Sequence, residues 1–115
     1  MNADDRLNRA FSALADPTRR AILTKLAQGP STVQEVAEPF TMSAPAISRH
    51  LKVLEQAGLV TRTTHAQWRT LSLQAEPLDE VSAWIEQQRR DWNLRLDALE
   101  QHVKTMKEKN NDNNP

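Results

Sequence analysis

The chain has 115 residues, of which 38% are hydrophobic, with 15 basic and 15 acidic groups, two glycines and no cysteine. That supports one modest core and excludes disulfides, thiolate metal sites and thiol redox sensing by this chain. No apolar run approaches the about 20 residues that cross a bilayer, and Met1-Asn2-Ala3-Asp4-Asp5 lacks the basic and apolar regions of a secretion signal, so a cytoplasmic protein with no membrane partner is expected.

Leu7, Ala10, Phe11 and Leu14 recur at helical spacing and predict a first helix over Asp5 to Leu14. Asp16-Pro17 is a cap followed by a first-turn proline, and Ile22, Leu23 and Leu26 carry a second helix to Gly29-Pro30, which stops it. A short third helix begins at Ser31-Thr32-Val33-Gln34; either Ser31 or Thr32 can cap it, with Gln34 or Glu35 completing a capping box. Val33, Val36, Ala37 and Phe40 form its inner face, and Thr41-Met42 is the turn that follows.

The next segment, Ser43-Ala44-Pro45-Ala46-Ile47-Ser48-Arg49-His50-Leu51-Lys52-Val53-Leu54, is the most informative. Ser43 caps a helix running to about Ala57, where Gly58 ends it, and Pro45 is tolerated because first-turn amides lack intrahelical partners. Ile47, Leu51 and Leu54 form an apolar back, while Ala44, Pro45 and Ala46 give a slim tip. Such a helix can enter a DNA major groove while anchored to a core. Leu59–Arg62 and Trp68–Leu73 are β-prone runs around Thr64-His65-Ala66-Gln67, a hairpin in the position of a wing. Between Ser43 and Leu73 four bases (Arg49, Lys52, Arg62, Arg69) face one acid, Glu55, a local charge of +3 in a neutral chain.

From Leu78 to about residue 108, Val81, Trp84, Ile85, Trp92, Leu96, Leu99, Val103 and Met106 predict one long helix, with residues 109–115 a disordered tail. Its apolar face is too wide for a solvated arm. Burial of Trp84, Ile85, Trp92, Leu96, Leu99 and Val103 against a second copy, with Leu7 and Phe11, is the simplest outcome; the tryptophans lining a small-molecule pocket is the alternative. The expected architecture is therefore mainly α with a small β-hairpin: a winged helix-turn-helix domain over 1–108 (recognition helix about 43–57, wing about 59–73) whose terminal helices dimerise.

Asp16-Pro17-Thr18-Arg19-Arg20-Ala21-Ile22-Leu23, followed by Met42 to Val60, resembles the ArsR family of bacterial winged-helix repressors, over roughly Leu7 to Leu99. The resemblance implies a homodimer that represses transcription by binding double-stranded DNA at a pseudo-palindromic operator. Carried over by position, base contacts fall to Ala44, Pro45, Ser48 and Arg49, phosphate contacts to Ser43, His50 and Lys52, and wing contacts to Arg62 and Arg69. Arginine suits guanine because its fork engages two acceptors at once. For His50 a bond to a neighbouring helix is the equal alternative, and Thr18, Arg19 and Arg20 either reach phosphate or form a solvated turn packed on the neighbouring subunit. Family hairpins carry glycine and more arginine at the tip; His65-Ala66-Gln67 departs from that.

Metal-sensing members use cysteines on the third helix, which here reads Glu35-Val36-Ala37-Glu38, or paired His and carboxylate ligands on the last helix, which offers His102 alone beside Asp91, Asp97 and Glu100. No metal or cofactor is expected, and the effector is unknown. An enzyme is not expected either, since no Gly-rich phosphate loop or nucleophile motif occurs. A protein-interaction module without DNA binding, or a repressor sensing an organic ligand at the dimer seam, are the competing readings.

Overall fold

The computed structural model describes residues 2–65 and 67–112. The elements are α1 (Ala3–Leu14), α2 (Pro17–Ala27), β1 (Ser31–Thr32), α3 (Val33–Ala37), α4 (Ala44–Gln56), β2 (Val60–His65), β3 (Trp68–Leu73) and α5 (Glu76–Asp112). Residues up to Val81 form one compact unit and those from Ser82 onward a second, where the sequence reading has one domain over 1–108. No described residue from Ser82 to Asn111 is buried.

Helix starts follow local chemistry. Asn2 Oδ1 accepts the Asp5 amide at 2.8 Å, which starts α1 two residues before the expected Asp5. Asp16 Oδ2 accepts the Arg19 amide at 3.0 Å, with Pro17 in the first turn. Thr32 caps α3: its hydroxyl accepts the Glu35 amide at 3.2 Å, and Glu35 reaches back to the Thr32 amide at 3.4 Å. Ser31, the other cap candidate, instead enters β1.

That strand was not expected, and it makes the wing a three-stranded antiparallel sheet of order β1-β3-β2. Ser31 pairs with Leu71 and Thr32 with Thr70, so the segment before α3 is pinned to the hairpin. Two residues are too few to display a strand period, and Thr32 serves the strand and the helix cap together. In the hairpin the register runs from Val60 opposite Leu73 to His65 opposite Trp68.

The core of the first unit joins Ala13 of α1, Ile22, Leu23 and Leu26 of α2, Val36 of α3, Ile47, Leu51 and Leu54 of α4, and Leu59, Val60 and Leu71 of the wing. Leu14, Val33, Phe40, Met42 and Leu78 pack around it. Gly58 ends α4 at φ +74, a left-handed conformation that a Cβ penalises.

The last helix extends past both expected bounds. It begins at Glu76 rather than Leu78, and Lys109–Asp112, assigned from their polarity to the disordered tail, carry helical backbone. Adding a residue to an existing helix gains one hydrogen bond without repeating the nucleation cost, so polar residues can prolong it. The last three residues of that tail, 113–115, lie outside the described residues.

Candidate nucleic-acid interface

The second helix of the helix-turn-helix, α4, divides its surface sharply. Ile47, Leu51 and Leu54 are 2%, 0% and 0% exposed. Ala44, Pro45, Ser48, Arg49 and Lys52 are all exposed. At about 100° per residue these five span an arc of about 140°, one continuous face. Arg49 and Lys52 make no hydrogen bond or ion pair among the described residues, so their charges are unspent. Ser43 Oγ accepts the Ala46 amide at 3.3 Å, and its own proton stays available to an acceptor outside the chain.

His50 sits about 100° further round α4 than Arg49 and is half-buried. Its Nδ1 lies 3.3 Å from Arg19 Nη1 and 3.8 Å from Asp16 Oδ2, so this nitrogen faces the start of α2. A contact to a neighbouring helix, one of the two fates open to the ring, is present on its Nδ1 side. Accepting the Arg19 amide holds the Asp16 carboxyl below the usual carboxylate range; a smaller desolvation penalty opposes this, and the His50 ring when protonated and the Arg19 guanidinium reinforce it.

The arginines of Thr18-Arg19-Arg20 are committed within the chain. Arg19 Nε donates to the Ala13 carbonyl at 2.7 Å and its Nη2 to the Ser12 carbonyl at 2.8 Å. Arg20 Nη1 donates to the Leu14 carbonyl at 2.8 Å. Carbonyls of the last helical turn lack intrahelical donors and carry the negative end of the dipole, so two guanidiniums satisfy both needs of α1. No spacing rule brings residue 19 beside residue 50; only the packing of α2 on α4 does so.

In the wing, Arg62 is ion-paired through Nε to Glu55 Oε1 of α4. It fastens the hairpin to α4. Arg69, opposite Thr64, is exposed and has no partner among the described residues. Beside it Trp68 is 63% exposed, the largest apolar surface on the wing and one that strand alternation did not single out. At the tip, Ala66 and the His65 side chain lie outside the described residues.

The residues expected at a dimer seam fall in two places. Leu7 and Phe11 are half-buried on α1. On the second unit Trp84, Ile85, Trp92, Leu96, Leu99 and Val103 are 40–62% exposed, joined by Leu94 and Met106. Leu94 lies off the predicted stripe. Among the described residues no three His, Asp or Glu side chains lie close enough to share a metal ion, and no helix is long and apolar enough to cross a membrane.

Residues 16–62 match the family model described as bacterial regulatory protein, arsR family. The transcriptional repressor SdpR of Bacillus subtilis is 38% identical over 79 residues, which span 69% of this chain and 88% of the repressor. The fold is similar to the crystal structure of an ArsR family transcriptional regulator, with a TM-score of 0.75, 40% identity, and 80% of this chain matched to 95% of that one. An ArsR-like transcriptional regulator from Rhodococcus sp. RHA1 superposes with a TM-score of 0.76 at 28% identity, over 88% of this chain and 95% of its own. With α3, its turn and α4 inside the matched segment, and a repressor similar over most of its length, the chain belongs to the arsR family of bacterial regulatory proteins.

Proposed function

We propose that this protein is a homodimeric transcriptional repressor that binds a pseudo-palindromic operator through α4 and acts by occupying promoter DNA in the cytoplasm. One observation carries the reading: a helix buried to 2% or less at Ile47, Leu51 and Leu54 turns outward an unbroken face of Ala44, Pro45, Ser48, Arg49 and Lys52, with both cations unpaired among the described residues. Ala44 and Pro45 let the tip approach base edges, Ser48 and Arg49 read them, and Ser43 and Lys52 take phosphate. On the wing, Arg69 is the free cation among the described residues; Arg62 serves mainly to hold the hairpin in place.

Dimerisation supplies the spacing that two half-sites require, roughly 34 Å or one DNA turn. The exposed apolar residues of α5, with Leu7 and Phe11 of α1, are the surfaces assigned to that contact. Contiguous apolar surface of this kind marks association, and aromatic residues are enriched in such seams.

The test is a gel-shift titration against DNA upstream of the protein's own gene, repeated over a range of salt. Retardation with an affinity that falls linearly in log–log form against salt is expected. Absence of retardation, or an affinity indifferent to salt, would overturn DNA binding in favour of a protein-interaction module.

A further inference from the structure

Arg19 does more than cap α1. Its three guanidinium nitrogens divide between two elements: Nε and Nη2 hold the Ala13 and Ser12 carbonyls, and Nη1 reaches His50 Nδ1. A guanidinium is always charged in a protein and can only donate. A hydrogen bond at this contact therefore requires Nδ1 to accept, which requires a neutral ring with its proton on Nε2. The competing partner, Asp16 Oδ2, would draw a proton to Nδ1 but stands at 3.8 Å, beyond hydrogen-bond reach, and already accepts the Arg19 amide. Nε2 has no partner among the described residues, and the side chain keeps 22% of its surface exposed.

We propose that Arg19 is a positioning residue for DNA binding: by donating to Nδ1 it fixes His50 as the Nε2–H tautomer, so that the flank of α4 offers an uncharged hydrogen-bond donor to a phosphate oxygen. The inference rests on α4 entering the major groove. A helix seated there meets base edges at its tip and phosphates along its flanks, and His50 lies on a flank, past Arg49. Arg19 also ties the end of α1 to α4 through one planar group, so the angle between these helices and the state of the ring are set together. A neutral donor releases no counterion on meeting phosphate, unlike Lys52, and this separates the two kinds of contact experimentally.

The tautomer is read in the free protein, without DNA, by long-range ¹H–¹⁵N correlation of the imidazole at about pH 8, above the ordinary histidine range. A protonated Nε2 with a bare Nδ1 is expected in the native protein, and a shift toward the Nδ1–H form in Arg19→Lys, whose single ammonium cannot span all three acceptors. A native ring protonated on Nδ1, or an unchanged tautomer in a folded Arg19→Lys variant, overturns the role of Arg19. Should Arg19→Lys fail to fold, two His50 variants decide. His50→Asn keeps an acceptor near the Nδ1 position and loses the outer donor; His50→Gln keeps a donor near Nε2 and loses the strut. Each is expected to weaken operator binding at pH 8 by roughly 5- to 100-fold for one hydrogen bond in each of two subunits, with circular dichroism and the salt slope unchanged. A reduced salt slope in His50→Asn, or full affinity in either variant, overturns the proposal. If the native protein binds no DNA at all, the proposed function fails while the tautomer measurement still stands on its own.

Discussion

Replacing Arg49 by alanine isolates sequence reading from everything else in the molecule. Its side chain is exposed and makes no hydrogen bond or ion pair among the described residues, so folding stability should stay within about 0.5 kcal/mol of the native value. A bidentate arginine–guanine pair is worth about 1–3 kcal/mol of discrimination, and a dimer uses two, giving about 2–6 kcal/mol. Each factor of ten corresponds to about 1.4 kcal/mol, so preference for operator over scrambled DNA should fall at least about 30-fold. Fluorescence anisotropy with both duplexes at several salt concentrations measures this directly. Lys52→Ala is the control: it should weaken both duplexes alike and reduce the salt slope by about 2 for the dimer, leaving the preference intact. If Arg49→Ala folds, dimerises and still prefers the operator by the native margin, α4 is not the element that reads the bases.

Leu51→Ala removes a fully buried side chain at the centre of the first unit and should cost about 2–5 kcal/mol, read as a lowered midpoint in urea unfolding. Asp16 is held below its ordinary value near 3.8, so its carboxylate contributes stability that is complete above that pH and is lost as pH falls through the lower folded value. Asp16→Asn should therefore remove part of the acid dependence of stability below about pH 5, checked by unfolding the two proteins at a series of pH values; an identical pH profile would refute the capping role. Leu99→Glu places a charge on the apolar face of α5 and should dissociate the dimer at micromolar concentration in sedimentation equilibrium, with the first unit still folded by circular dichroism. A native protein that sediments as a monomer would remove the dimer from the mechanism.

How these cations divide has a simple electrostatic logic. Four of the arginines near the helix-turn-helix differ in one respect, whether a carbonyl or carboxylate of the same chain lies within reach. Arg19 and Arg20 meet the unsatisfied carbonyls of α1, and Arg62 meets Glu55, so their fields are largely neutralised at short range. Arg49 meets no carbonyl or carboxylate among the described residues. The local charge of +3 between Ser43 and Leu73 is consequently displayed by Arg49, Lys52 and Arg69, on α4 and on β3 of the wing. That separation lets a chain of zero net charge present a phosphate-seeking surface.

The helices were legible in the amino-acid order, as were the starts of α2 and α4 and, to within one residue, of α3, because the interactions that set them reach only three or four residues; the start of α1 and both ends of α5 lay outside the expected bounds. Asp16, Thr32 and Ser43 each cap a helix through an amide three positions on, Gly58 provides the left-handed exit from α4, and the 3.6-residue period of Ile47, Leu51 and Leu54 identifies the buried back. Knowing which side of α4 is buried also settles which side is not, so the outward stripe ending at Lys52 could be read without coordinates. The partners of the remaining polar groups could not. Arg19 and His50 are 31 positions apart, Ser31 and Leu71 form a ladder across 40 residues of chain, and Arg62 finds Glu55 only once the hairpin folds back on α4. Such pairings depend on how α1, α2, α4 and the sheet pack around a common core. Tertiary packing, which no local spacing encodes, decides whether an arginine meets a carbonyl or carboxylate of its own chain or stays unpaired.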